Sequence, residues 1–336
     1  MQCRVFGTTD REDVSEITLS LDNGTVANIL TWGALVRELN VPCGSGLQSV
    51  VLGLNSIEDY INHSPSFGVI PGRFANRIGS ATFELDGKTH HLTPNKGSIH
   101  CLHGGPNGYG KRNWSLGNLT KTSVTLHLDS PDGDAGFPGH AQITCIYNLL
   151  PPSTLRVDLY ATSDAPTPMN LTHHSYFNLD GSADARDHEV QLFANFYTPT
   201  DADLIPTGEV RAVAGTPYDF TTMRPVRNAH EQVFDTNFVV SSFPDTPKGL
   251  VHMANMRSNT SKLTMEVHSS EQGVQFYDGA KVSCPVPGLG GTTYGAHAGL
   301  CFEPQNFPDA PNKRHFPNSI LRKGEIYQHA IEYRFI

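Results

Sequence analysis

Period two dominates this chain. In "SEITLSLDNGTVANIL" apolar and polar residues alternate on both sides of Asn23-Gly24. Side chains of an extended strand point alternately to opposite faces, so this pattern fits a half-buried β-strand and no helix. Asn-Gly between two such runs predicts a type I′ hairpin. "ATFELDGKTHHL" repeats the design around Asp86-Gly87. "SVTLHLDS", "HAQITCIYNL", "STLRVDLYATS", "HEVQLFANFYTP", "SKLTMEVHSS", "GVQFYDG" and "HAIEYRFI" read as further strands, rich in Val, Ile, Thr, Tyr and Phe. No long stretch keeps a 3.6-residue period.

The 31 Gly and 23 Pro fall mainly between these runs, where turns need them. Two long loops are predicted, "SSFPDTPKGL" and "CPVPGLGGTTYGAHAG", and strand patterns resume beside both. No repeat, linker or low-complexity tract divides the 336 residues. The expected fold class is all-β: one large antiparallel β-sandwich domain over residues 1–336, with long loops available for binding.

Apolar residues make up 38% of the chain and charged residues 17%, enough to build a core. The net charge is −9 and no Lys/Arg cluster stands out, which argues against nucleic-acid partners. No apolar run reaches about 18 residues and the start has no apolar signal segment, so neither membrane partner nor export is expected. Cys3, Cys43, Cys101, Cys145, Cys284 and Cys301 are scattered without a C-x-x-C pair. Six free thiols fit a reducing cytoplasm.

The stretch "NLTHHSYFNL", Asn170 to Leu179, raises the question of chemistry. Read as a strand, one face carries Asn170, Thr172, His174, Tyr176 and Asn178. The other carries Leu171, His173, Ser175, Phe177 and Leu179. His174 thus sits in a hydrogen-bonding row suited to a polyol, and His173 among apolar side chains. Histidine is the side chain tuned most readily for proton transfer near neutral pH. Glu303, in "GLCFEPQNFPDAPN", ends an apolar run; in a cleft its pKa would rise toward that of a working base. "GVIPGRFANRIG" offers Asn76 and Arg77, and "FDTNFVV" offers Asp235. "SIHCLHGGPNGYGKRNW" holds His100, Cys101 and His103, a nonspecific metal-like spacing that with His174 could supply ligands. No metal or other cofactor is expected. Phosphate-cradling GxxxxGK[ST], GxSxG and GxGxxG motifs are absent, which weighs against nucleotide use and serine hydrolysis.

Together these segments resemble the aldose 1-epimerase (mutarotase) family. The matching stretches are "GRFANRIG", "FELDGKTHHLTPN", "LHGGPNGYGKRNW", "NLTHHSYFNL", "TPYDF", "FDTNF", "GVQFYDG" and "LCFEPQNFPDAPN", in family order, with a weaker match around "TWGALVREL". The resemblance implies a β-supersandwich that interconverts α- and β-anomers of a free aldose. It implies His174 as acid, Glu303 as base and His103 as a second active-site histidine. Asn76, Arg77, Asp235 and Gln275 are implied as substrate contacts, with Ser175 and Tyr176 flanking His174. Three positions depart from the family pattern: His173 where Asn is usual, Thr236 within Asp235-Thr236-Asn237, and Gly110 within Gly108-Tyr109-Gly110-Lys111. They bear on sugar preference, which stays open between galactose- and glucose-type substrates.

Mutarotation needs only a base at the C1 hydroxyl and an acid at the ring oxygen. A protonated His174 implies a nearby negative charge that raises its pKa. Three rival readings fit the same residues. A non-catalytic sugar-binding sandwich would use the same contacts without an acid–base pair. A sugar-phosphate 1-epimerase would want extra cations, for which Arg73, Arg77, Lys111 and Arg112 are available. A glycosidase would want two carboxylates, such as Asp235 and Glu303.

Overall fold

A computed structural model describes all residues except 1, 10, 11, 45, 229–231 and 241–248. Most of the predicted loop "SSFPDTPKGL" lies outside the described residues. Those described form antiparallel sheets: five strands at the N-terminus, nine in the largest sheet and six in a third. Three small two-stranded ribbons complete the architecture. The only α-helix among them is Ile57–His63, where the Ser56 side chain accepts a hydrogen bond from the Asp59 N–H.

The nine-stranded sheet begins as a meander through Ser115–Leu119, Ser123–Ser130, Ala141–Leu150 and Thr154–Ser163, takes Tyr327–Phe335 from the C-terminus as its central strand, and ends with Thr264–Ser269, Val251–Arg257, Glu189–Leu192 and Arg224–Pro225. The six-stranded sheet runs Tyr176–Phe177, Leu300–Gln305, Gly273–Tyr277, Asp235–Val240, Ala194–Tyr197, Arg211–Ala212. One apolar core joins them: Leu159, Ile331 and Tyr333 on the large sheet meet Phe238, Phe276 and Phe302 on the smaller. The Tyr333 hydroxyl donates to the Phe302 carbonyl at 3.0 Å, satisfying a polar atom at the centre of that layer.

Of three local expectations, one holds and two change. Asp86 and Gly87 both have positive φ, 50° and 77°, and close the predicted two-residue hairpin between Thr82–Leu85 and Lys88–His91. The Asn23-Gly24 hairpin also forms, but only Gly24 is left-handed, at φ 94°, and the connection spans residues 21–25. It is a wider loop than type I′, because Asn23 keeps negative φ. The run "HEVQLFANFYTP" is two strands: Glu189–Leu192 pairs in the large sheet and Ala194–Tyr197 in the six-stranded one. The chain changes sheet at Phe193, so one alternating pattern serves two layers.

The alternation from Asn170 predicts a strand, yet only Tyr176–Phe177 joins a ladder. The extended backbone before it pairs irregularly with residues 68–75. His174 donates to the Val69 carbonyl at 3.0 Å and accepts from the Gly68 N–H at 2.9 Å. Asn170 accepts from the Ala75 N–H at 2.7 Å. Pro71 lies between these contacts and has no N–H to continue a ladder. The alternation of faces survives, because the backbone stays extended.

Candidate active site

Four neighbouring strands of the six-stranded sheet build the site floor. Strand register places Gln275 opposite Glu303, Asn237 opposite Gln275, Asp235 opposite Tyr277 and Tyr176 opposite Cys301. All seven side chains therefore share one face. The other face carries Phe276 and Phe302, whose ring centroids lie 5.2 Å apart in the core. A one-residue slip would exchange a polar pocket for an aromatic layer, so the apolar side fixes the register of the polar side.

His174 reaches this face from the neighbouring extended segment. Two side chains tie that segment to the Glu303 strand. The Thr172 hydroxyl donates to the Pro304 carbonyl at 2.6 Å, and Asn170 Oδ1 accepts from the Asn306 N–H at 2.9 Å. Behind it, the His329 ring bonds the Leu171 carbonyl at 2.9 Å. The polar row read from the sequence is thus divided in purpose: Asn170 and Thr172 hold the segment, and His174 enters the pocket. Its Nε2 lies 3.6 Å from Glu303 Oε2. Both residues are buried, at 5% and 2% exposure. Neither His174 Nδ1 nor Glu303 Oε2 has a hydrogen-bond partner. Native proteins seldom leave buried polar atoms unmatched, and clusters of them mark functional sites.

His103 stands against His174 edge to face, with centroids 5.3 Å apart. It is held by Asn76 twice: its N–H donates to the Asn76 carbonyl at 2.9 Å, and its Nδ1 accepts from the Asn76 N–H at 3.1 Å. That bond assigns the ring proton to Nε2. Both residues have positive φ, 54° for His103 and 61° for Asn76. Gly104 explains the tight turn that follows, because a Cβ there would sit 1.9 Å from the Gly72 carbonyl oxygen. Arg77 Nη2 pairs with Asp235 Oδ2 at 3.8 Å, and Gln275 Nε2 donates to Asp235 Oδ1 at 2.6 Å. The Tyr176 ring stacks on His174 at 5.2 Å while its hydroxyl donates to the Pro65 carbonyl.

The structure therefore brings together eight of the nine residues named from the sequence. Ser175 is the exception. It is buried on the opposite face, where its hydroxyl and His173 Nε2 share a 2.7 Å hydrogen bond. His173 packs between Tyr147 and Tyr333, as its apolar neighbours implied. Sequence reasoning missed Cys301 and Tyr277, which the site face carries beside Glu303 and Gln275. Register was the missing information, since the period-two pattern alone does not say which strands are adjacent. The loose metal reading also dissolves. His100 Nδ1 accepts from the Ser80 N–H and Cys101 packs in an apolar cluster, so neither joins His103 and His174.

Burial dominates the electrostatics. It pushes the His174 pKa down to about 4, against a smaller upward pull from its own backbone and from Asp235. The expectation of a raised His174 is thus reversed, because desolvation outweighs the nearby carboxylate. Burial likewise lifts Glu303 well above the usual carboxylate range; Asp235 adds to the rise and Arg77 opposes it. His103 is held well below its ordinary value by burial, then by His174, Arg77 and Lys111.

The family model for aldose 1-epimerase matches residues 15–334. This chain belongs to the aldose 1-epimerase family. Human galactose mutarotase is 38% identical, over 98% of this chain and 94% of its own length. The aldose 1-epimerase of Escherichia coli K12 is 34% identical, over 95% and 94%. Among solved structures, a Caenorhabditis elegans aldose epimerase homologue superposes with a TM-score of 0.90 at 32% identity, covering 96% of this chain and 99% of that one. Aldose 1-epimerases are isomerases, and the fold and chemistry of this chain are of that kind. Two buried groups able to exchange protons, each with an unmatched atom, are compatible with that chemistry. Three of the four cations weighed for a sugar phosphate already have protein partners. Arg73 is buried and donates to Tyr109, Ser130, Thr167 and the carbonyls of Pro138 and Gly139. Arg112 pairs with Asp134 at 2.6 Å, and Arg77 serves Asp235.

Proposed function

We propose that this aldose 1-epimerase converts the anomers of a free galactose- or glucose-type monosaccharide, with Glu303 as base and His174 as acid. The observation that carries the assignment is the 3.6 Å approach of two buried, otherwise unpartnered proton-transfer groups. Glu303 takes the C1 hydroxyl proton while His174 protonates the ring oxygen and the C1–O bond breaks. The aldehyde turns about C1–C2, and closure runs the two transfers backwards. The pair carries one proton throughout: on the imidazole while the ring is closed, on the carboxyl while it is open. Burial, which lowers His174 and raises Glu303, favours the second, uncharged arrangement. It thus stabilises the protonation state that faces the open-chain sugar, the intermediate of the reaction.

His103, with its proton on Nε2, supports the charge change at the ring oxygen. Asn76, Arg77, Asp235 and Gln275 hold the remaining hydroxyls, and Tyr176 positions His174 by stacking. Each proton-transfer group is asked for roughly 10²–10⁴ in rate, about 3–5 kcal/mol. A lectin-like role would leave the paired acid and base without purpose. A glycosidase would need Asp235 free, whereas Arg77 and Gln275 occupy it. We read the chain as a single catalytic domain of the cytoplasm, acting on a monosaccharide without nucleic-acid, membrane or cofactor partner. All six cysteines are unpaired thiols, and no helix among the described residues is long and apolar enough to cross a membrane. The test is optical rotation of freshly dissolved α-galactose and α-glucose with purified protein. Faster relaxation than in buffer supports the reading; none across a panel of aldoses overturns it.

A further inference from the structure

Cys301 is fully buried on the site face of its strand, two residues before Glu303 and opposite Tyr176 and Tyr277. Its sulfur, a His174 ring nitrogen and a Glu303 carboxylate oxygen all lie within 4.8 Å of one another. We propose that Cys301, His174 and Glu303 form a binding site for a soft divalent cation such as Zn²⁺, which switches the enzyme off by capturing its acid and base.

The donor set suits the ion. One thiolate, one imidazole and one carboxylate are zinc's preferred ligands, at about 2.3, 2.0–2.1 and 2.0–2.2 Å. Tetrahedral bonds of those lengths separate ligand atoms by about 3.3–3.6 Å. His174 Nε2 and Glu303 Oε2 already stand 3.6 Å apart. Cys301 has to approach by at most about 1.2–1.5 Å, within the reach of a χ1 adjustment. Charge also balances. Two protons leave to solvent as the metal bonds form, one from the Cys301 thiol and the one that the His174–Glu303 pair shares. Zn²⁺ with one thiolate, one carboxylate and a neutral imidazole then leaves no net charge in a pocket that disfavours any. Metal would fill the unmatched valence of Glu303 Oε2. A fourth position remains for water. Hard cations such as Mg²⁺ prefer all-oxygen shells and have no comparable set here.

That the ion inhibits rests on the catalytic reading above; that it binds does not. Binding is therefore read first, by calorimetry with Zn²⁺ and by absorption with Co²⁺, neither of which needs turnover. We expect one tight site and a thiolate-to-cobalt charge-transfer band. Cys301→Ser should abolish that band. It should weaken Zn²⁺ binding roughly tenfold or more, because the soft thiolate is what selects such ions. Galactose should raise the Zn²⁺ concentration needed for inhibition, and Mg²⁺ should do nothing. Cys301→Ala, with circular dichroism, guards against a folding defect of the serine variant. Unchanged Zn²⁺ affinity in both variants, or no binding by the parent, overturns the proposal. So does binding abolished by His252→Ala instead, which would assign the ion to the His252, Glu266 and His268 cluster on the large sheet. Binding without inhibition would overturn the switch, and with measurable mutarotation it would do so while leaving the catalytic reading intact.

Discussion

Glu303→Gln separates catalysis from stability in one substitution. The amide keeps the shape of the carboxyl but neither accepts the C1 proton nor carries charge. Mutarotation should fall roughly 10²–10⁴-fold, about 3–5 kcal/mol of barrier. Stability should move the other way. Glu303 is buried, its Oε2 is unmatched, and Asp235 repels its ionised form. Leaving a buried polar atom without a partner costs about 1–3 kcal/mol. A glutamine amide can donate to His174 Nε2, now 3.6 Å from that oxygen, and removes the repulsion. Regaining part of that amount should raise the melting temperature by a few degrees, at roughly 2–4 °C per kcal/mol for a large domain. Polarimetry and differential scanning calorimetry on the same preparation read both effects. A variant within tenfold of parental activity refutes Glu303 as base. One that is inactive but less stable refutes the account of a carboxylate held against its own solvation.

The other predictions concern the surrounding frame. Ser175→Ala should cost about 1–3 kcal/mol by stranding His173 Nε2, read by urea denaturation, with the KM for sugar unchanged. A raised KM would return Ser175 to the substrate side. Gly104→Ala should destabilise by at least about 3 kcal/mol, through its Cβ contact with the Gly72 carbonyl and a φ of 82°. Wild-type thermal stability in that variant would contradict the packing of the His103 turn. Burial lowers His173 to about 3 and His329 to about 4, from 6.5. The native state therefore binds fewer protons than the unfolded one in that window. Their contribution is complete above about pH 6.5 and falls with acid, by up to about 3 kcal/mol each by pH 4. His173→Asn should flatten the slope of urea stability between pH 6.5 and 4; an unchanged slope would show that His173 is not buried neutral.

Much of this enzyme was written in its local pattern. Alternation marked the strands, Asp86-Gly87 closed its hairpin as expected, and the faces of Asn170–Leu179 assigned His174 to the polar side and His173 to the core. These features are legible because an extended backbone fixes side-chain direction two residues at a time, whatever the strand pairs with. Other features depend on partners far away in the chain. The change of sheet at Phe193 and the placing of Cys301 beside the acid and base follow from register and layer packing, which no short window encodes. The pKa values of His174 and Glu303 belong with these. Nearby charge can be guessed from a motif, but the loss of water that outweighs it arises only when the strands and loops close over both groups.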